Sequence, residues 1–190
     1  YMRETENQLQ ILLCELAAYL HNKDMEINVW DRIIAFEGRM HEFIKAAYDY
    51  QDNTFHSHPG YYIDYFEMRL AQLQVLHNLH YEIKKIRKMP KQALVIADYI
   101  MYMADYVVEM NIPDQQIEKL EEISEQMKQE ELPKTREEFE GRALLYHILM
   151  DLEEFLVYKK RFVNGLDEKK LRIYWNQEME QKDRENELQE

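Results

Sequence analysis

Apolar residues recur at intervals of three and four along most of the chain, the spacing of one face of an α-helix. The first stretch, about Glu4 to Asn22, sets Leu9, Leu12, Leu13, Leu16 and Leu20 on one side. A second follows Asn28 as its cap and runs to about Asp52, with Trp30, Ile33, Ile34, Phe36, Met40 and Phe43 in its stripe. A third spans about Tyr61 to Lys88, from Tyr62 and Phe66 through Leu73 and Leu79 to Ile86. The fourth, about Lys91 to Met110, is strongly apolar and carries Tyr99, Tyr102 and Tyr106. The fifth, about Asp114 to Glu131, is acidic with a thin stripe of Ile117, Leu120, Ile123 and Met127. The sixth, Thr135 to Asn164, is apolar on almost every side between Ala143 and Met150, with His147 the one interruption. A helix without a polar face needs neighbours all round, which predicts that this one is central.

Breakers fall between these stretches. Pro59, Pro90, Pro113 and Pro133 all lie in the gaps, and Asn53 to Gly60 (NTFHSHPG) reads as the clearest loop. Thr135 with Glu138 three residues on forms a capping box, and Lys159-Lys160-Arg161 followed by Asn164-Gly165 has the chemistry of a helix end. The pattern predicts an all-α fold, an antiparallel helical bundle of about six helices, with residues 1–165 as a single domain. Residues 166–190 read as a charged tail, partly helical or frayed, holding Leu166, Leu171, Ile173, Tyr174 and Trp175.

Composition narrows the function. A net charge of −13 opposes a nucleic-acid partner, which needs a basic face. Cys14 alone excludes an intramolecular disulfide and points to a reducing compartment. The best candidate for a membrane span, Ala93 to Met110, carries Asp98, Asp105 and Glu109, too many charges for lipid. The chain starts without an initiator Met inside a running helix, which predicts a piece of a longer protein.

Two segments resemble the C-terminal domain of the putative aromatic acid exporter family of bacterial membrane proteins. One is Tyr61-Tyr62-Ile63-Asp64-Tyr65-Phe66-Glu67-Met68-Arg69 with Gln72 and Leu76. The other is Leu132-Pro133-Lys134-Thr135-Arg136-Glu137-Glu138-Phe139-Glu140-Gly141-Arg142-Ala143-Leu144, continuing to Glu153-Glu154-Phe155-Leu156 and Lys159. The resemblance covers about Tyr61 to Phe162. It implies a cytosolic domain behind an N-terminal transmembrane region in a cell-membrane protein, with a link to export of aromatic acids. It assigns no catalytic residue.

The motif Phe-Glu-x-Arg occurs three times, ending at Arg39, Arg69 and Arg142. Glu138 reaches Arg142 at i+4; Glu37 or Glu67 would serve the other two arginines from neighbouring helices. The plain reading is an ion-pair network that fixes register, since each unpaired buried charge is costly. The sharper reading is an aromatic-carboxylate site, with Arg39, Glu67, Arg69, Arg142, Tyr65 and Tyr102 as ligand-binding candidates. Gly38 and Gly141 sit mid-helix, which close helix approach would justify.

His56-x-His58 and the pair His77, His80 invite a metal reading, but the Glu-x-x-His pairs of a di-iron bundle are absent. No metal, no cofactor and no enzymatic motif is expected. If the helices alternate, Lys159 to Arg161 share a pole with the start of the chain, facing the membrane and its anionic headgroups. Two functions follow: a ligand-sensing, regulatory domain of an exporter-like membrane protein, or alternatively a structural module that pairs subunits of a homo-oligomer without a ligand.

Overall fold

The computed structural model describes residues 1–23, 28–54 and 60–175. The helices are α1 (Met2–His21), α2 (Val29–Asn53), α3 (Gly60–Lys85), α4 (Ala93–Ala104), α5 (Asp114–Lys128), α6 (Arg136–Asn164) and the one-turn α7 (Glu168–Lys170), followed by a π-helical turn, Leu171–Trp175. No strand is present among the described residues. The six long elements match the six apolar stretches, and Pro90, Pro113 and Pro133 lie between helices. The loop containing His56, His58 and Pro59, and the last part of the tail, lie outside the described residues.

Helix α3 is the axle: α6, α2 and α1 all pack on it, while α4 packs on α1 and α5 on α6. Its buried set, from Tyr61 and Tyr65 through Leu76 and Leu79 to Ile83, faces three neighbours. Three ring contacts define one pole of the bundle. Tyr1 stacks on Phe43 at 4.6 Å, Phe43 meets Phe66 at 5.7 Å, and Tyr65 meets Phe162 at 5.9 Å. The start of α1, the end of α2, the start of α3 and the end of α6 therefore share that pole. At the other, Lys23 donates to the Lys84 carbonyl at 3.1 Å and to that of Ile86, satisfying acceptors at the end of α3.

The capping box at α6 forms with one change. The Glu138 amide donates to the Thr135 hydroxyl at 3.1 Å, but the Glu138 carboxylate accepts from the Lys134 amide at 3.0 Å, not from Thr135. The box holds Glu138 below its ordinary range, first through the Lys134 amide and then through Arg142. At Asn28 the cap position is occupied but its side chain makes no capping bond.

Three expectations need correcting. Helix α6 is not surrounded: Tyr146, His147 and Met150 are exposed, and among the described helices it packs chiefly on α3 and α5. Ile34 lies outside on α2, one position off the true buried stripe of Ile33, Phe36 and Met40. Helix α4 ends at Ala104 and not near Met110, since Lys159 takes the carbonyls of Val108 and Glu109 as acceptors in a non-helical turn.

Candidate functional site

Among the described residues the most buried charge is Arg69, 1% exposed on α3. Its Nη1 donates to Gln72 Oε1 at 2.9 Å, and Gln72 donates onward to the Phe155 carbonyl at 2.8 Å. Its Nη2 lies 3.7 Å from the carboxylate of Glu6, and its guanidinium sits 5.0 Å from the Tyr65 ring centre. The Tyr65 hydroxyl donates to Glu6 at 3.0 Å. Burial, the largest influence, pushes the Tyr65 hydroxyl above its ordinary range.

Beside this group lies Lys159, also buried, with its ammonium on the carbonyls of Val108 (3.1 Å) and Glu109. Burial, and then the charge of Arg69, hold it well below the ordinary lysine range. Tyr61 donates to the Glu109 carboxylate and accepts from Trp175 Nε1 at 3.2 Å. Tyr174 stacks on Tyr61 with ring centres 4.0 Å apart. Tyr174 and Trp175 thus cover a cluster of buried polar groups. Lys159 is therefore not a headgroup contact, and Lys160 pairs with Asp114 at 3.0 Å.

The other candidates do not join this cluster. Arg39 pairs with Glu4 at the surface and lies 5.3 Å from the Phe43 ring centre. Arg142 pairs with Glu138 at 2.7 Å, as the sequence predicts, and also donates to the Glu131 carbonyl. Glu67 accepts from Tyr48 at 3.2 Å, and the Lys119 ammonium lies 3.9 Å from the Tyr102 ring centre. The partners of Arg39 and Arg69 are glutamates of α1, not Glu37 or Glu67. Nothing in the motif itself reveals them, since Glu4 and Glu6 stand more than thirty residues away in the chain.

A different feature has the shape of a ligand site. A groove of about 640 Å³ opens at the shared pole between α1, α2 and α3. Tyr1, Phe43, Tyr50, Tyr62 and Phe66 line it, together with Met2, Arg3, Ala46 and Ala47. The volume falls within the range of small-molecule pockets, and the lining is aromatic with one cation. Sequence reading missed it because its residues lie near the ends of three helices; the cluster of Tyr48, Tyr50, Tyr61 and Tyr62 around the loop was the available signal. Among the described residues, no group of three or more His, Cys, Asp or Glu side chains is arranged to hold a metal.

Residues 1–160 match the family described as putative aromatic acid exporter C-terminal domain. The chain is 26% identical over 164 residues to the uncharacterized protein YqjA of Bacillus subtilis (strain 168), a match covering 85% of this chain and 50% of that protein. It spans about half the length of that curated relative. The fold is similar to the crystal structure of a putative membrane protein from Clostridium difficile 630, with a TM-score of 0.74 and 24% identity over 85% of this chain and 95% of the other. Among the described residues no helix is long and apolar enough to cross a membrane.

Proposed function

The chain belongs to the putative aromatic acid exporter C-terminal domain family, and we propose that it acts as the cytosolic, ligand-sensing domain of a membrane export protein, taking an aromatic carboxylate into the groove beside Phe43 and Tyr62. The observation that carries this reading is the groove itself: five aromatic side chains and Arg3 line an open space of about 640 Å³. The exposed rings of Tyr1 and Tyr50 offer stacking and edge contacts to a ligand ring, and a guanidinium is the preferred partner of a carboxylate. The groove lies at the pole where α1 begins, the end at which a preceding membrane region would join. Occupancy would there stiffen the entrance of the domain and bias the membrane part.

The test is thermal stability of the domain across a panel of aromatic carboxylates. A ligand at about a hundred times its dissociation constant adds about 2.7 kcal/mol, a visible melting shift. The shift should vanish in Tyr62→Ala and weaken in Arg3→Ala. No shift with any compound would leave the second reading.

That second reading is a structural assembly module without a ligand, and one observation favours it. Arg39, Arg69 and Arg142 are each engaged with a separate carboxylate and do not converge on a shared anion site.

A further inference from the structure

The segment after α6 returns to the bundle and meets it at the aromatic pole. Of residues 166–175 only Trp175 is buried, so few side chains hold the segment in place. Tyr174 stacks on Tyr61 with the ring planes 6° from parallel, and Trp175 Nε1 donates to the hydroxyl of the same tyrosine. Lys170 adds an ion pair with Asp64 at 4.0 Å. A segment with so small a buried anchor belongs to the part of a fold that opens first. It also lies beyond residues 1–160, which carry the family match.

The Tyr174 ring reaches the groove indirectly. It meets Tyr62 edge-on, at 5.6 Å and 79°, and Tyr62 in turn meets Tyr50 edge-on, at 6.0 Å and 81°. Tyr62 and Tyr50 line the groove, whereas Tyr174 and Trp175 do not. Burial, and then Tyr62 and Tyr50, raise the Tyr174 hydroxyl above its ordinary range. From this chain of rings we infer that residues 166–175 form a strap whose Tyr174 positions Tyr62 and Tyr50 for the ligand, so that strap docking and groove filling strengthen each other. The inference rests on the sensing role proposed above. Rings already held in place cost less to order when a ligand arrives, so the docked strap raises affinity. The coupling is reciprocal: the factor that the strap adds to ligand binding, the ligand adds to strap docking. Tyr174 is a positioning residue, acting through Tyr62.

The chain has two tryptophans, Trp30 on α2 and Trp175, so Trp30→Phe leaves Trp175 as the sole indole reporter. In that full chain acrylamide should quench Trp175 weakly, and more strongly once Tyr174→Ala is added. Benzoate should protect Trp175 further and saturably, although Trp175 is not a groove residue. The benzoate dissociation constant, read from the Ala46 and Ala47 methyl shifts, should rise by about fivefold or more in Tyr174→Ala. Tyr174→Phe keeps the ring and should restore it. Equal affinity in Tyr174→Ala and the wild type, or benzoate binding that leaves Trp175 quenching unchanged, would overturn the strap and leave the sensing role standing. A wild type that binds no aromatic carboxylate would overturn the sensing role, and the coupling with it.

Discussion

The Arg69 guanidinium and the Tyr65 hydroxyl meet at one oxygen of Glu6, at 3.7 Å and 3.0 Å. That oxygen ties α3 to α1 beside the buried Arg69. Removing the carboxylate strands a buried cation, so Glu6→Gln should cost about 3 kcal/mol. Adding Arg69→Met to that variant removes the stranded charge and should recover part of the loss. Urea denaturation of the two single variants and the double variant measures the coupling; purely additive losses would show that the pair contributes nothing of its own.

The two mid-helix glycines should respond in opposite directions. A Cβ on Gly141 would stand 2.9 Å from Pro90 Cγ and 3.1 Å from the Lys88 carbonyl oxygen, so Gly141→Ala must push α6 from the α3–α4 turn. A Cβ on Gly38 meets nothing within 4 Å, so Gly38→Ala should add up to about 1 kcal/mol of helix propensity. Melting temperatures of the two variants, up for Gly38→Ala and down for Gly141→Ala, check both.

Asp151 on α6 should make the protein less stable as pH rises. Burial, and then the charges of Glu82 and Glu154, raise its carboxyl to about 6 from 3.8, while His147 opposes them. A carboxyl raised in the folded state contributes most below its unfolded pKa, and that contribution is lost as pH climbs through about 6. Asp151→Asn should therefore stabilise at pH 8, by about 1 kcal/mol once the screening of a half-solvated group is allowed for. At pH 3.5 the substitution should change little. Denaturation midpoints at the two pH values compare these outcomes.

Helix existence was legible because each apolar stripe repeats at the helical period, and the break points because Pro90, Pro113 and Pro133 cannot sit inside helices. What the pattern could not give was which neighbour covers a face. The run Ala143 to Met150 reads as surrounded, yet the chain leaves Tyr146 and Met150 uncovered. Likewise the true end of α4 depends on Lys159, more than fifty residues away from Ala104, and no local rule reports it. The family motif located Arg69 and Arg142 correctly on α3 and α6, but their separation depends on partners in α1 and in the first turn of α6. The groove of Phe43 and Tyr62 is assembled from three helix ends, so it exists only once those helices have packed.

The most direct test of the sensing role is a titration of the domain with benzoate, followed through alanine methyl resonances. Ala46 and Ala47 line the groove, whereas Ala93 and Ala97 lie buried in α4. A bound aromatic ring should shift the Ala46 and Ala47 methyls saturably through its ring current and leave those of Ala93 and Ala97 in place. Unmoved Ala46 and Ala47 methyls at saturating benzoate, and with other aromatic carboxylates, would contradict the account and leave the domain as a structural module.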